Sequence, residues 1–343
     1  MKKILLTGCA GFIGSNFVKN IAVFEKEYEF VVLDALTYAG HYPTIENDIQ
    51  ENEHLSFKQI EIRDKEAIDE LFKTEDFDGV IHFAAESHVD NSIKNPNIFV
   101  ETNVLGTLNL LNASINYGMK KDSNFKFVHV STDEVYGTLS EDEPAFTEQH
   151  PIVANSPYSA SKAGSDLLVR SYNETFKLNT VITRCSNNYG PYQFPEKLIP
   201  LMITNAQNDM DLPVYGNGRN IRDWIFVDDH NRGIWQSYLK GKSGEVYNFG
   251  GDAEKRNIDV VKTLLLILDK PESLIKFVED RKGHDWRYAM NFEKAKRELD
   301  WTPQVTFEEG LKKTVNWYIE NKQWCDQVLK RVSLKKRDQF QRS

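Results

Sequence analysis

Lys3-Ile4-Leu5-Leu6-Thr7-Gly8-Cys9-Ala10-Gly11-Phe12-Ile13-Gly14 decides the fold of this chain. A short apolar run leads straight into three glycines, and these open a segment with helical character from near Ser15. Strand, Gly-rich turn and helix in that order form the first unit of a dinucleotide-binding sheet. Glycines at such a turn let the backbone approach a pyrophosphate, and the helix start offers N–H donors and partial positive charge. Gly8, Gly11, Phe12, Ile13 and Gly14 are therefore candidate cofactor-binding residues. The spacing is GxxGxxG rather than GxGxxG, which alone also fits simple tight packing.

Further apolar, β-branched runs follow at Phe30–Leu33, Phe57–Ile62, Val80–Ala84, Phe127–Ser131 and Val181–Thr183, with helical segments between them. Continuously apolar strands are covered on both faces, which means a parallel sheet. The predicted class is α/β, a doubly wound parallel sheet of Rossmann type with a smaller, mainly helical substrate-binding domain. After Arg184 the texture changes to the Asn-, Gly- and Pro-rich stretch Cys185–Pro195, where the second region begins. Ile225–Val227 and Val246–Phe249 read as strands returning to the main sheet, and Ile258–Leu268 and Phe307–Tyr318 as helices. The expected division is residues 1–187 and 224–250 for the dinucleotide-binding domain and 188–223 and 251–330 for the second, with a basic tail at 331–343.

The second strand ends at Asp34, about 20 residues beyond Gly14, where a carboxylate hydrogen-bonds an adenine ribose. Its charge would repel a 2′-phosphate, and residues 35–40 contain no Arg or Lys to receive one. NAD is expected rather than NADP.

Tyr158 and Lys162, four apart after Pro157, share one face of a helix. A nearby ammonium favours the phenolate, which would make Tyr158 a base for a sugar or alcohol hydroxyl. Thr132, at the end of a preceding strand, is placed to hydrogen-bond the same hydroxyl. Asp133 and Glu134 follow at the carboxyl end of that strand, where open α/β sheets bind ligands. Adjacent carboxylates repel, so at least one holds its proton and the pair can supply an acid and a base. Consecutive strand residues point to opposite faces, so the backbone must leave strand geometry after Thr132 for both to serve one substrate. Ser159 to Lys162 also spells SxxK, but no SDN or KTG follows and the match is accidental.

The chain has 343 residues, a formal charge of −9, 40% hydrophobic and 27% charged residues. That composition supports a sizeable core and excludes global disorder. No apolar run approaches the roughly 20 residues of a membrane span, and the run after Met1 is too short for a secretory leader, so a soluble chain is expected. Cys9, Cys185 and Cys325 have neither disulfide nor zinc spacing, which suits a reducing cytoplasm, and Cys9 is expected to be buried and inert. The acidic balance argues against nucleic acid as a partner, and Lys330, Arg331, Lys335, Lys336 and Arg337 read as a solvated basic end. His82, His129 and His230 lack helical metal spacing and read as structural histidines, so no metal is expected.

Together, GCAGFIGSN (Gly8 to Asn16), AAESHVD (Ala84 to Asp90), STDEVYG (Ser131 to Gly137), YSASK (Tyr158 to Lys162), RCSNNYGPYQFPEKLIP (Arg184 to Pro200) and RDWIFVDDH (Arg222 to His230) resemble the dTDP-glucose 4,6-dehydratases, extended short-chain dehydrogenases/reductases. The resemblance runs from Lys2 to about Trp317. It implies a lyase that converts dTDP-glucose to dTDP-4-keto-6-deoxyglucose and water in deoxyhexose biosynthesis. Tyr158, with Thr132 and Lys162, would drive oxidation at carbon 4 by NAD. Glu134 would take the hydrogen from carbon 5 as Asp133 protonates the hydroxyl leaving carbon 6. The hydride would then return to carbon 6, so NAD would stay bound.

The resemblance further implies Ala84, Ala85, Ser87, Thr102 and Asn188 at the nicotinamide, with Tyr158 and Lys162, and Asp34, Ala35, Leu36, Thr37, Glu61 and Ile62 at the adenosine. The nucleotide sugar would meet Ser87, His88, Thr132, Asn187, Glu196, Lys197 and Leu198, and also Pro213, Tyr215, Arg222, Asn257, Arg281 and His284. Arginine forks suit diphosphate oxygens, although a lone Arg is by default a surface ion pair. A homodimer joined near Asn103–Asn116 and Tyr158–Phe176 is implied as well. Glu61, Asn91, Lys282 and Cys9 depart from the family pattern outside the acid–base set. The nearest rivals are a UDP-hexose 4-epimerase and a UDP-glucuronate decarboxylase, which need Tyr158 but no acid at Asp133. A non-catalytic NAD sensor is a further rival, against which the intact Thr132, Tyr158 and Lys162 speak.

Overall fold

The computed structural model describes residues 1–121, 124–280 and 283–340, with side chains as far as Arg331. Its first six strands are β1 (Lys2–Thr7), β2 (Tyr28–Asp34), β3 (Leu55–Gln59), β4 (Gly79–His82), β5 (Lys126–Thr132) and β6 (Asn179–Cys185). Then come β7 (Asn187–Tyr189), β8 (Leu212–Tyr215), β9 (Ile221–Phe226), β10 (Val246–Phe249), β11 (Glu254–Arg256) and β12 (Ile275–Val278).

Seven strands form one all-parallel sheet in the order β10-β6-β5-β4-β1-β2-β3. The unbroken apolar runs are explained by what covers them. Ile4, Leu6, Phe30, Val32, Val128 and Val130 enter one core, while the alternate residues Leu5, Val31, Leu33, Val80 and Phe127 enter another on the opposite face. The winding reverses between β1 and β4, which opens a crevice at the carboxyl ends of the strands.

Two strands stop short of the apolar runs that signalled them. β3 ends at Gln59, not Ile62, because its partner β2 ends opposite it at Asp34. β4 ends at His82, not Ala84, because β1 gives out at Thr7. The chain at Ile225–Val227 does not return to the main sheet. β9 pairs with β7 and β11 in a separate three-stranded sheet, and Val227 already begins the Val227–Lys240 helix. β10 does join the main sheet, beside β6.

A further core gathers Tyr189, Met202, Ile203, Val260, Leu264, Leu311 and Tyr318, largely from the helices Leu198–Gln207, Asn257–Ile267 and Phe307–Glu320. β9 serves both bodies: Trp224 and Phe226 pack into this core, and Ile225 between them packs into the core under the main sheet. The chain crosses back after β12, since Ala295, Leu299 and Trp301 are buried against the main-sheet core. The Trp301 indole N–H donates to the Asp229 carbonyl at 2.9 Å. Among the described residues no helix is long and apolar enough to cross a membrane.

Candidate active site

The Gly-rich turn sits where the crevice opens. Gly8 has φ +75°, and a Cβ there would lie 2.5 Å from the backbone of Ala84, so only glycine lets β1 turn this close to β4. Helical backbone begins at Phe12, three residues earlier than the sequence suggested. Gly8, Gly11, Phe12, Ile13 and Gly14 line a long cleft together with Asp34, Ala35, Thr37, Glu61 and Ile62. Ala84, Ala85, Ser87, Thr102, Tyr158, Lys162 and Asn188 line the same cleft. Leu36 does not: its side chain packs against the core, and its amide donates to Asp34 Oδ1 at 2.7 Å. The Ala10 amide donates to Asp34 Oδ2 at 2.9 Å, and these two bonds oppose the burial that pushes the carboxyl pKa up. Cys9 is fully buried, and burial drives its thiol pKa well up.

After Thr132 the backbone leaves the sheet as the alternation of strand side chains requires. Asp133–Tyr136 is a single 3₁₀ turn that starts with Thr132 Oγ1 accepting from the Glu134 amide. It ends at Gly137, φ +87°, where a Cβ would lie 2.4 Å from the Val153 carbonyl oxygen. Asp133 is buried, its Oδ1 accepts from the Thr132 hydroxyl at 3.2 Å, and its Oδ2 has no protein partner. Burial raises its pKa well above the usual carboxylate value, and repulsion from Glu134 and Asp223 adds to the rise, so the environment favours the protonated acid. Repulsion between neighbours was the reason visible in the sequence; desolvation is the larger one.

Tyr158 stands on the Pro157–Phe176 helix, whose start is fixed by Pro157 in the first turn and a Ser156–Ser159 capping box. The Ser159 hydroxyl is thereby used as a cap, which accounts for the accidental SxxK. Burial raises the phenol pKa, Glu134 adds to the rise, and a hydrogen bond with Thr132 opposes it. Lys162 lines the same cleft as Tyr158 and is held from the strand side. Its ammonium donates to the Val130 carbonyl at 2.9 Å and to His129 Nε2 at 3.4 Å, and burial lowers its pKa to about 8.

The histidines are buried among polar partners. His82 lies between the Thr7 and Thr107 hydroxyls, and His129 meets Ser165 and Asp166, the latter anchored by Arg184 Nε at 2.9 Å. His230 Nδ1 donates to Asn188 Oδ1 at 2.9 Å and so orients a cleft residue. Burial keeps His129 and His230 neutral, with pKa values of about 4 and about 3.

A second cleft adjoins the first and shares Ser87, Glu134, Asn187 and Lys197 with it. His88, Glu196, Leu198, Pro213, Tyr215, Arg222, Asn257 and His284 line only the second. Thr132 lines only the first, and Arg281 and Lys282 lie outside the described residues. Arg222 is no surface ion pair. It is buried, stacks on Tyr288 at 4.4 Å and donates to the carbonyls of Ile221, Asp285 and Trp286. Of the positions that depart from the pattern, Glu61 pairs with Arg63 at 3.1 Å, and the Asn91 amide donates to His88 Nδ1.

The GDP-mannose 4,6 dehydratase family model matches residues 5–314. The chain belongs to this family. A dTDP-glucose 4,6-dehydratase of Neisseria meningitidis serogroup B is 49% identical, with 96% of each chain covered. Among solved structures, the dTDP-glucose 4,6-dehydratase of Bacillus anthracis in complex with NAD has a TM-score of 0.87 at 45% identity, covering 96% of this chain and 100% of that one. The dTDP-glucose 4,6-dehydratase of Streptomyces venezuelae, with NAD and TYD bound, has a TM-score of 0.89 at 45% identity, covering 95% and 99%. The dehydratase fold explains the placement of the motifs, but not every residue around them was foreseen. Tyr38, His41, Thr44, Glu86, Trp324 and Val328 also line the first cleft, and Tyr288 and Val261 the second. For Trp324 and Val328 a signal existed: with Cys325 they make an apolar stripe at helical spacing ahead of the basic end.

Proposed function

We propose that this dehydratase-family enzyme converts dTDP-glucose to dTDP-4-keto-6-deoxyglucose and water, with NAD held in the first cleft and the nucleotide sugar in the second. One observation carries the reading: the buried Asp133, whose Oδ2 has no protein partner, and its neighbour Glu134 share a turn beside Tyr158, where the two clefts meet. An epimerase or decarboxylase has no use for that acid. The fit of NAD rests on the close turn at Gly8, on Asp34 held at the ribose position, and on buried cleft atoms without protein partners, among them Ser131 Oγ, Asp133 Oδ2 and Asn187 Oδ1.

NAD, when bound, supplies the hydride acceptor for carbon 4, the donor for carbon 6, and a positive charge that favours ionisation of a nearby phenol. Tyr158 takes the proton from the hydroxyl at carbon 4, and Thr132 hydrogen-bonds the same oxygen. Glu134, which faces both clefts, takes the proton from carbon 5, acidified by the new ketone. Asp133 gives its proton to the hydroxyl leaving carbon 6, which departs as water. Glu134 returns its proton to carbon 5 as carbon 6 is reduced, and the proton taken up by Tyr158 replaces, through solvent, the one Asp133 gave to the leaving water, so each turnover restores both the coenzyme and the acids. Arg222, Asn257 and His284 hold the nucleotide diphosphate end, and Lys162 positions the nicotinamide side.

A division into two domains belongs to the same reading, with β9 shared between them and residues 295–301 returning to the first, as do a homodimer through the 103–116 and 158–176 helices and a cytoplasmic location. Ile93, Val100, Leu105 and Leu167 are large, apolar and exposed in or beside those segments, which supports the dimer. Incubation with dTDP-glucose, followed by the alkali-induced absorbance of a 4-keto sugar, tests the activity. No such product, with conversion to a 4-epimer instead, would overturn it.

A further inference from the structure

The C-terminal helix Lys322–Phe340 lies across the adenosine end of the first cleft, beyond the segment that the family model matches. Trp324 and Val328, one turn apart, line the cleft. The Trp324 indole N–H donates to the Thr44 hydroxyl at 2.9 Å, and its ring stands edge-on to His41. Arg331, which the sequence suggested lies in a solvated end, instead folds back over the loop that follows Asp34. Its guanidinium donates to the carbonyls of Leu36 at 2.7 Å and Thr37 at 3.2 Å, and also to that of Gly40. Leu36 has φ +53°, a left-handed conformation that a branched-chain residue adopts only when its surroundings hold it there.

We propose that this helix is a strap that retains the coenzyme, and that Arg331 is its tie, fixing the 36–40 loop against the ribose-binding carboxylate. The inference rests on the first cleft being the NAD site. Arg331 and Asp34 interact electrostatically, and the cation favours the ionised carboxylate against the cost of its burial. A carboxylate at Asp34 is the form that accepts from an adenine ribose hydroxyl. Three carbonyls on one guanidinium tie the loop to the helix while the strap is down. Release of NAD then requires the strap to lift. That suits a cycle in which the coenzyme is regenerated on the enzyme and has no need to leave.

The test is coenzyme release from the full-length protein. The enzyme is loaded with NADH and gel-filtered, and loss of the bound nicotinamide fluorescence is followed after a chase with excess NAD. Arg331→Ala should release NADH about 10-fold faster or more. Arg331→Lys, which keeps the charge but not the fork, should fall between it and the wild type. Gln327→Ala, exposed on the same helix, should match the wild type. A release rate for Arg331→Ala within about twofold of the wild type overturns the strap while leaving the NAD site standing. A wild-type protein that retains no nicotinamide nucleotide overturns both.

Discussion

A buried acid costs a protein stability at neutral pH, and two such acids mark this site. Burial raises the Asp133 pKa above its value in the unfolded chain, so its contribution to stability is present below the ordinary carboxyl range and is lost as the pH rises. Asp133→Asn should therefore raise the unfolding midpoint at pH 7 while slowing water loss about 10²–10⁴-fold. Partial hydride transfer should remain visible as a nicotinamide absorbance in a single turnover. A variant that dehydrates at the wild-type rate would refute the acid role. Glu86 allows the sign to be checked at a second cleft position. Burial, with repulsion from Glu61, raises its pKa from 4.5 to about 7. Its contribution is complete below pH 4.5 and lost as pH rises through about 7. Glu86→Gln should equal the wild type near pH 4 in urea unfolding and exceed it at pH 8 by about 2–3 kcal/mol. Equal stability at both pH values would contradict the raised pKa.

At the scale of elements, the helix that carries Tyr158 depends on how it starts. Ser156 Oγ and the Ser159 amide are 3.0 Å apart, and the Ser159 hydroxyl reaches back to the Ser156 amide at the same distance. Ser156→Ala removes half of that box and should lower the unfolding free energy by about 1 kcal/mol, read from the urea midpoint. An unchanged midpoint would show that Pro157 alone sets the helix start. The seven strands of the main sheet, the Gly-rich turn and the break after Thr132 were legible, because each follows from apolar runs, glycine spacing or the alternation of strand side chains, whereas the short strands β7, β8, β11 and β12 carry no such signal. The pairing of β9 was not legible either. Its apolar run resembles any buried strand, and whether it joins β6 or β7 is decided by partners elsewhere in the chain. Lys162 shows a similar limit. Its helical spacing from Tyr158 was plain, but the Val130 carbonyl that holds it comes from another strand. Arg331 lay further still from the loop it grips, and a run of basic residues gives no sign of folding back.

For the molecule as a whole, the chain's return to the first core is a structural brace. Trp301 is fully buried against the main-sheet core, edge-on to Phe249 at 4.7 Å. Next to it, Asp229 Oδ2 accepts from the Gln304 and Val305 amides, each at 2.9 Å. Trp301→Ala should cost about 3–5 kcal/mol. A loss below about 1 kcal/mol would mean that the site collapses without penalty. The seam at β9 bears on any attempt to breed new sugar specificities from this scaffold. Neighbouring side chains of this strand are rooted in different hydrophobic interiors, so a chimera joined anywhere within Ile221–Phe226 would inherit mismatched halves of both. A viable graft has to take the whole strand from one parent and adapt the other parent's interior to receive it.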